Sequence, residues 1–488
     1  MVNTLKNMRF KRGSERYQHT ILTLDDQIPG DHVVRFIDKV CDDFLSAKVL
    51  VDIFAKGAGE TGRKAYHPCD MLRLYVYAYF NGVSSSRKIE KECHRNIEVR
   101  WLLSGLAPDH KTISDFRKDN AGLIREFFLF LNKAFVEQGL LKGKSIAVDG
   151  TKIKAYASRG ISLDDLRKKL GNVEGQIEAY LEKLSDIDRA EDDVEQLAER
   201  KAELEKQIGE LESRKRGIQG SLEELKNEGL DKKCLTDPDA KKMKGRYGTY
   251  WGFNLQIAVD TQGHMITDYR LTSNQNDKGL LKPMVTGSET ATGEKPGEVY
   301  ADGGYYKTSE LHGTEQDGTE CFVAVNHTPT QVEDKKNGIA FEYDGQADLY
   351  TCSQGRKLLY NRKKTENGET KKIYRSEGCS GCPLVPVCTK SGTRTTTRNE
   401  NQEWIDAYQK KMNSTEGRQR MKKRKSVAEH PFGTMKYYMG QTPLLLRGKD
   451  KISTEMALYV MGYNIRRYMA NKRAEQEKKA VSALKMAA

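Results

Sequence analysis

The segment 163–225 constrains the fold of this chain more than any other feature of the sequence. Leucine, isoleucine and valine recur there mostly at intervals of three and four residues, close to a seven-residue repeat. They form two runs separated by a stretch without large apolar residues at 188–193. This spacing predicts two helices that fold back on each other as a coiled-coil hairpin. Ser162 and Asp165 have the spacing of a capping box, so the first helix is expected to begin there. Heptads seldom carry chemistry, and a spacer or a dimerisation arm is the simplest role for such a hairpin.

The charge of the chain indicates a polyanionic partner. There are 82 Lys and Arg against 69 Asp and Glu, a net charge of +13, which favours nucleic acid or an anionic membrane. A membrane partner is not expected, because no stretch approaches the ~18 apolar residues of a spanning helix. Residues 1–16 are basic and polar, unlike a secretory signal. Nine cysteines in 488 residues argue against a disulfide scaffold. We therefore expect a cytoplasmic protein bound to nucleic acid.

The other segments alternate between helical and strand-like patterns. Residues 20–140 are expected to be mainly helical, as a helix-turn-helix-like module or as a plain helical domain. The run from Thr112 to Asp115 has capping-box form and predicts a long helix to about Val136. Beyond residue 240, alternating apolar and polar residues predict short strands. The expected strands are 144–149, 253–260, 265–271, 298–302 and 321–325, with a helix at 280–292, a polar, turn-rich segment at 328–400 and two later helices.

Three acidic residues are the candidate catalytic groups. Asp149 and Asp302 each end a short strand-like run, and Glu429 follows a basic run in a helical context. They can meet only if a sheet gathers the two aspartates and a helix packs the glutamate over them. Phosphodiester cleavage by two metal ions about 4 Å apart needs such carboxylates. Hard oxygen ligands suit Mg²⁺ or Mn²⁺, so the sequence predicts a centre with two of these ions.

Basic residues surround the third acid. Segment 410–425 contains eight Lys or Arg and one Glu. On a straight helix Lys422, Lys425 and Lys436 share one face with Glu429, because 3.6 residues make a turn. Cations beside a metal-binding acid could hold DNA phosphates. The alternative is a solvated basic helix whose charges are unrelated.

Pro431 complicates the predicted helix. Proline lacks a backbone N–H and is expected to kink or end the helix there, which would displace Lys436. The predicted DNA-binding residues are Lys422, Lys423, Arg424, Lys425, Lys436 and Arg117.

The motifs around these acids resemble the DDE transposases of bacterial insertion sequences, in the branch with a Tyr-x2-Arg-x3-Glu-x6-Lys signature. The three acidic motifs are Val148–Lys152, Tyr300–Tyr306 and Glu429–Lys436, and further similar segments are Tyr79–Ile89, Pro108–Arg117, Leu235–Met243 and Ala457–Arg467. The similarity spans roughly residues 15–470. Lys422 stands where the signature has Tyr, and Lys425 where it has Arg. Both departures keep or add positive charge.

The resemblance implies an α/β (α+β) fold with a ribonuclease H-like mixed-sheet catalytic core. In such a core the first Asp lies on the first strand, the second Asp on the fourth, and the Glu on a late helix. The implied domains are a helical N-terminal DNA-binding domain (1–140), the first core strand (141–160), the coiled-coil hairpin insertion (161–230), the continued core (231–327), a Cys-bearing insertion (328–400) and the Glu helix with C-terminal helices (401–488).

The implied activity is cutting the ends of the element and joining them to target DNA. The partners would be double-stranded DNA, both terminal inverted repeats and target, with a homodimer assembled on the DNA in the bacterial nucleoid. Two alternatives stay open from the sequence. One is a metal-dependent nuclease on the same fold, and the other is a transposon-derived DNA-binding protein without catalysis.

Four cysteines form a second candidate metal site. Cys379 and Cys382 have the Cys-x2-Cys spacing of a zinc knuckle, with Cys388 after them and Cys352 well before. Four thiolates would make a structural zinc site with no open position. Reduced structural thiols are the equal alternative, because the other spacings are irregular.

Overall fold

A computed structural model describes most of the chain as two compact units, Met1–Phe116 and Arg117–Ala488. The described residues are 23–46, 65–156, 160–189, 194–227, 229, 231–234, 236–245, 248–325, 338–366, 369–389, 391–440 and 444–487. The basic segment 1–16, the link 190–193 between the predicted heptad helices, and residues 328–337 of the Cys-bearing segment lie outside these ranges.

The first unit is helical, as its sequence predicts. Its helices are α1 (Val33–Ser46), α2 (Pro68–Phe80), α3 (Ser86–Arg95) and α4 (Ile97–Leu102), followed by the start of α5 (His110–Asp119). Arg73 is the one charged residue in the otherwise apolar run 71–80. It is accommodated because its guanidinium is 2.8 Å from both Asp38 and Asp70 and also pairs with Asp42.

The start of α5 differs from the prediction. The Asp109 side chain accepts hydrogen bonds from the backbone N–H groups of Lys111 and Thr112, both at 2.9 Å. Thr112 is therefore inside the helix, and the expected cap there is wrong because Asp109 already fills that role. The expected long helix is also broken at Asn120, after which α6 (Ala121–Glu137) begins.

A mixed sheet forms the centre of the second unit. Its main strands are β1 (Ser145–Lys154), β5 (Gly248–Asp260), β6 (Ile266–Thr272), β7 (Glu298–Ala301) and β8 (Glu320–Val323), in the spatial order β6-β5-β1-β7-β8. β5 is antiparallel to both β1 and β6, whereas β1, β7 and β8 run parallel. In chain order this is the 3-2-1-4-5 arrangement of a ribonuclease H-like core, so the predicted fold class is confirmed. β4 (Lys241–Gly245) pairs with the start of β5.

Helices cover this sheet. They are α6, α9 (Leu281–Thr292), α10 (Thr308–Gln316), α12 (Gln402–Asn413), α13 (Thr415–Gly433) and α14 (Lys449–Ala487). α6 and α14 pack against each other, and α14 packs on β6. α6, which the sequence placed in a domain ending at residue 140, is thus part of the second unit. No helix in the described ranges has the length and hydrophobicity needed to cross a bilayer.

The heptad segment forms two long paired helices, α7 (Leu163–Arg189) and α8 (Val194–Asn227). They leave the core between β1 and β5 over a short ladder of β2 (Gly160–Ser162) with β3 (Lys232–Cys234). Leu166 packs with Leu222 and Leu225 near this base, and farther out Glu174 pairs with Lys215 at 3.0 Å, so the two helices run antiparallel. The Asp165 N–H donates to the Ser162 hydroxyl at 3.1 Å, which confirms the predicted cap.

The Cys-bearing segment contains a five-stranded sheet that the sequence pattern did not reveal. Its strands are β9 (Phe341–Asp344), β10 (Leu349–Cys352), β11 (Lys357–Glu366), β12 (Glu369–Ser376) and β13 (Thr395–Asn399), and a short helix α11 (Val385–Cys388) precedes β13. Adjacent strands pair antiparallel. The buried core of this sheet consists of Ile339, Phe341, Tyr350, Leu358 and Tyr374. It lies in the chain between β8 and the helices that end in α13.

Asn464 joins α14 to the edge strand β6. Its buried side chain accepts from the Ile266 N–H at 2.7 Å and donates to the Ile266 carbonyl at 2.8 Å and to Asn132 at 3.1 Å. Asn464→Ala should lower the free energy of unfolding by about 2 to 4 kcal/mol, since it strands buried polar groups. Urea unfolding measures this, with the exposed Asn413→Ala as the matched control, expected within about 0.5 kcal/mol of wild type. Equal effects of the two changes would refute this role for Asn464.

Candidate active site

The structure brings Asp149 and Asp302 together on neighbouring strands. β1 and β7 run parallel with Ala147 opposite Tyr300. Asp149 and Asp302 follow two residues later on their strands, and Asp302 keeps an extended backbone. Since side chains alternate along a strand, both carboxylates project from the same face, on strands about 4.8 Å apart. β7 ends at Ala301, and the Asp302 carboxylate accepts from the Gly304 N–H at 2.8 Å.

Helix α13 crosses this face of the sheet. The Arg424 guanidinium nitrogen Nη1 lies 3.8 Å from the Asp149 Oδ1 atom, and Arg420 pairs with Glu298 on β7. Just beyond the helix, the Lys436 ammonium donates to the Thr151 hydroxyl at 2.5 Å. Contacts on both sides of Glu429 therefore fix its helix over β1 and β7.

The Glu429 carboxylate itself is exposed. In the part of the chain that the structure describes, it makes no hydrogen bond or ion pair. The preceding Val427 and Ala428 are buried. Glu429 lies about 140° around the helix from Arg424, which explains why its side chain faces solvent. The structure thus brings the helix of the third acid to the aspartates and leaves the carboxylate available to a ligand.

The α-helix does not end at Pro431, but Lys436 is displaced from the straight-helix face, as the proline led us to expect. α13 continues to Gly433 and is followed by one π-helical turn, Thr434–Tyr438. This wider turn rotates the residues that follow it around the helix axis. The face predicted for Lys436 from a straight helix therefore does not apply. Lys436 is accordingly half-buried on Thr151, whereas Lys422 and Lys425 are exposed.

The surroundings of Asp149 favour its neutral form. Burial raises the pKa of its carboxyl to about 6, and the nearby charges of Asp302 and Asp277 act in the same direction. The Arg424 guanidinium opposes this effect. The carboxyl groups of Asp149, Asp302 and Asp277 thus influence one another, and a cation placed beside them would favour the ionised form of Asp149.

Asp277 is a site residue that the sequence reasoning missed. Its Oδ1 atom accepts from the Asn254 amide at 2.6 Å and the Gln256 amide at 2.8 Å, with the Lys152 ammonium at 3.4 Å. The Tyr305 hydroxyl in turn donates to Gln256. These bonds tie the loop after β6 to strands β1 and β5. Asp277 lies in a polar loop without periodicity, and the only sequence signal was its position shortly after the third core strand.

Two glycines are required by close contacts at this site. A Cβ at Gly150 would lie 2.3 Å from the Gln256 amide nitrogen. At Gly304 it would lie 2.9 Å from Asp302 Oδ1 and 3.2 Å from Asp277 Oδ2. The small residues that follow each aspartate therefore allow the surrounding polar network to close.

The expected DNA contacts divide into three groups. Lys422 and Lys425 are exposed, and the side chain of Lys423 lies outside the described structure. Arg424 is half-buried against Asp149. Arg117 is only 3% exposed, and its charge lies near the buried Glu455 carboxylate. A guanidinium in this position cannot reach a phosphate without rearrangement, so the expectation for Arg117 is corrected.

The four cysteines line a single cavity of the five-stranded domain. They are Cys352, Cys379, Cys382 and Cys388. Burial raises the pKa of the Cys388 thiol, and the other three thiols contribute in the same direction. Among the described residues, no group of three or more His, Cys, Asp or Glu is placed as metal ligands are, at this cavity or at the aspartates.

Two family models match the chain. The model of a transposase domain (DUF772) matches residues 22–119, in the helical N-terminal region, and the model of a transposase DDE domain matches residues 351–469, which include Glu429. These matches identify the chain as a DNA transposase with a DDE domain. Such a transposase is a metal-dependent enzyme that cuts and joins DNA.

Comparison with known proteins adds one similar structure. This transposase can be superposed on a piggyBac transposase in a cryo-EM synaptic complex with hairpin DNA, with a TM-score of 0.32 and 9% sequence identity. The match covers 92% of this chain and 74% of that chain. No curated protein matches the transposase in sequence.

The raised pKa of Asp149 makes a prediction about stability. Between its ordinary pKa of 3.8 and about 6, the folded transposase binds more protons than the unfolded chain, so stability falls as pH rises. Asp149→Asn should remove this loss and raise the free energy of unfolding by up to about 3 kcal/mol in metal-free buffer. The gain should be larger at about pH 8 than at about pH 4.5 in urea unfolding.

The control for this experiment is Asp406→Asn, at an exposed aspartate of α12. Its effect should be small and the same at both pH values. If Asp149→Asn instead lowers the free energy of unfolding at the higher pH, burial of the Asp149 charge does not set this pKa.

Proposed function

We propose that this transposase cuts the ends of an insertion element and joins them to target DNA at a centre formed by Asp149, Asp302 and Glu429. The observation that carries the proposal is the register of β1 with β7, which places the two aspartates side by side. α13 lies over the same face and carries the glutamate. The reaction class follows from the family, and the assignment of these three residues is ours.

The donor set of this centre suits divalent metal ions. DDE transposases generally use such ions, and we propose Mg²⁺ or Mn²⁺ at these carboxylates. Asp149 and Asp302 supply hard oxygen donors, the type that these ions prefer. Burial, together with the charges of Asp302 and Asp277, raises the Asp149 pKa, and a bound cation would stabilise the ionised carboxylate against these effects. When bound, two ions would activate the attacking hydroxyl and stabilise the leaving oxygen.

Cations of α13 would hold the DNA. The Arg424 Nη1 atom is buried and makes no hydrogen bond among the described residues, although Asp149 is 3.8 Å away. The Arg424 side chain as a whole is 15% exposed, so we propose that it turns from Asp149 towards bound DNA and orients the scissile phosphate. The exposed Lys425 and Lys422, respectively one and two turns before Glu429, would contact neighbouring phosphates.

The N-terminal unit is proposed to recognise the terminal repeats. Helix α3 buries Ile89 and Cys93 and exposes a basic face on the other side. The exposed residues are Arg87, Lys88, Lys91, His94 and Arg95. A helix with such a face can enter a groove of DNA and contact both bases and phosphates. Because an element has two ends, we propose that two copies assemble on the DNA.

Asp149→Ala, Asp302→Ala and Glu429→Ala should each abolish cleavage while DNA binding is largely kept, because carboxylates bind metal and do not attract phosphate. Cleavage and strand transfer can be measured in Mg²⁺ or Mn²⁺ on a plasmid that carries the gene with its flanking DNA. The control is Glu416→Ala, an exposed acid of the same helix that pairs with Arg420. Near wild-type cutting by any of the three variants would overturn the assignment.

Strand transfer also distinguishes the proposal from the other two functions. A metal-dependent nuclease would cut this plasmid without joining the ends to target DNA. A DNA-binding protein without catalysis would do neither in any divalent metal.

We also propose that Cys352, Cys379, Cys382 and Cys388 bind a structural zinc ion. Support comes from the one cavity that they line and from the small buried core of this sheet, which a metal would reinforce. The thiols would have to move closer together on binding. Metal analysis of the full chain purified from zinc-containing medium should find one zinc ion, which Cys379→Ser with Cys382→Ser should remove. Cys93→Ala should keep it, and a wild-type chain without zinc would refute the site.

A further inference from the structure

The two oxygens of the Asp277 carboxylate have different surroundings. Oδ1 accepts hydrogen bonds from the side-chain amides of Asn254 and Gln256 and lies 3.4 Å from the Lys152 ammonium. Oδ2 makes no hydrogen bond or ion pair within the described ranges, and the side chain is 22% exposed. One oxygen therefore holds the loop after β6 on the sheet, and the other is available to a ligand.

The available oxygen lies close to Asp302. From the position that a Cβ at Gly304 would take, Asp277 Oδ2 is 3.2 Å away and Asp302 Oδ1 is 2.9 Å away, so these two oxygens are at most about 6 Å apart. The Tyr305 hydroxyl supports this grouping. Burial raises its pKa, and the charges of Asp277, Asp149 and Asp302 act in the same direction. The Asp277 carboxylate thus belongs to the same acidic site as the two strand aspartates.

Buried groups fix the Asp277 carboxylate in this place. Asn254 and Gln256 are fully buried on β5, and the buried Tyr305 hydroxyl donates to Gln256. The backbone also contributes, because the Leu280 N–H donates to the Asp277 carbonyl at 3.2 Å. A carboxylate held by buried neighbours keeps its position when a ligand binds, which is the property of a preorganised site.

The contacts that fix this loop do not by themselves require an acid at position 277. An asparagine there could accept the same two amide hydrogen bonds through its oxygen, and its NH₂ group could donate to Asp302. An aspartate instead puts a second negative charge beside Asp302, which is unfavourable. Lys152 balances only one of these two charges. The pair of carboxylates is therefore better suited to a bound cation than to the metal-free fold.

We infer that Asp277 is a positioning residue of the metal centre, where its Oδ2 atom accepts a hydrogen bond from a water on the cation held by Asp302. The inference rests on the proposed function for the presence of that cation. Mg²⁺ keeps several of its waters in protein sites, and acids beyond the direct ligands orient the ligands of a metal.

The separation of the two carboxylates fits this role. One ion in direct contact with both oxygens would need them about 4 Å apart, since Mg²⁺–oxygen bonds are about 2.1 Å long. The limit of about 6 Å between Asp277 Oδ2 and Asp302 Oδ1 leaves room for an ion and one of its waters.

Binding of Mn²⁺ to the full-length protein, without DNA, tests this role. The free ion is followed by electron paramagnetic resonance. Asp277→Asn keeps an acceptor oxygen for Asn254 and Gln256 but removes the charge, and it should raise the Kd for Mn²⁺ about 10- to 100-fold. Because metal binding stabilises the folded state, the gain in resistance to urea on adding Mn²⁺ should shrink as well.

Lys152→Gln is the matched control in the same network. It removes the cation beside Oδ1 and leaves both carboxylates, so the affinity for Mn²⁺ should be kept or increased. Asp317→Asn, at an exposed acid paired with Lys282, should leave the Kd unchanged. Asp277→Ser is a second variant without the carboxylate, for use if Asp277→Asn does not fold, and it should weaken binding by a similar factor.

Two results would overturn the inference: wild-type affinity for Mn²⁺ in Asp277→Asn, or an equal loss of affinity in Lys152→Gln. The second result would mean that Asp277 acts by holding the lysine. Asp302→Ala in the same assay reports on the proposed centre separately, and it should weaken Mn²⁺ binding more than Asp277→Asn does. If the wild type binds no Mn²⁺, or if Asp302→Ala binds it like the wild type, the proposed centre itself is wrong. If only Asp277→Asn binds it like the wild type, this inference alone fails.

Discussion

The parallel pairing of β1 with β7 is the constraint on which the rest of the catalytic unit depends. It sets Asp149 beside Asp302 by register alone, before any side-chain contact is considered. The carboxylate of Asp149 is held there at a cost: burial is the main cause of its raised pKa, and the charge of the neighbouring Asp302 adds to it. Neighbouring residues accommodate the pair. Arg424 from α13 lies beside Asp149, and Gly150 and Gly304 leave room for the surrounding side chains. The third aspartate, Asp277, accepts hydrogen bonds from two amides and from Lys152.

Much of this arrangement could be predicted from the sequence. Each aspartate follows a short apolar run that forms a core strand. The prediction that Asp149 ends its strand is wrong, because β1 continues to Lys154 through its pairing with β5. Glu429 was identifiable from the basic stretch before it and from the lysine seven residues later. The long helix pair followed directly from the heptad spacing, which requires no tertiary information.

Other features could not be predicted from the sequence pattern, because they depend on helix geometry, tertiary contacts or strands with few apolar residues. The expected face of Lys422, Lys425 and Lys436 assumed a straight helix, and the π turn after Pro431 changed the phase of Lys436. Arg117 is charged, but only packing reveals that it is buried near Glu455. The sheet of the Cys-bearing segment was missed because its central strands are rich in lysine and arginine, and few apolar residues mark their alternation.

The order of the elements along the chain affects synthesis of the enzyme. All the core strands precede the five-stranded domain, and α13 follows it. A ribosome that has released β8 has therefore produced the sheet with both aspartates, but not the glutamate or the arginine that accompanies Asp149. A nascent chain, or one truncated within the five-stranded domain, keeps the basic N-terminal helix without a complete set of acids. If the N-terminal helix binds DNA as proposed, such a product would occupy DNA without cutting it, and premature termination would turn the enzyme into its own competitor.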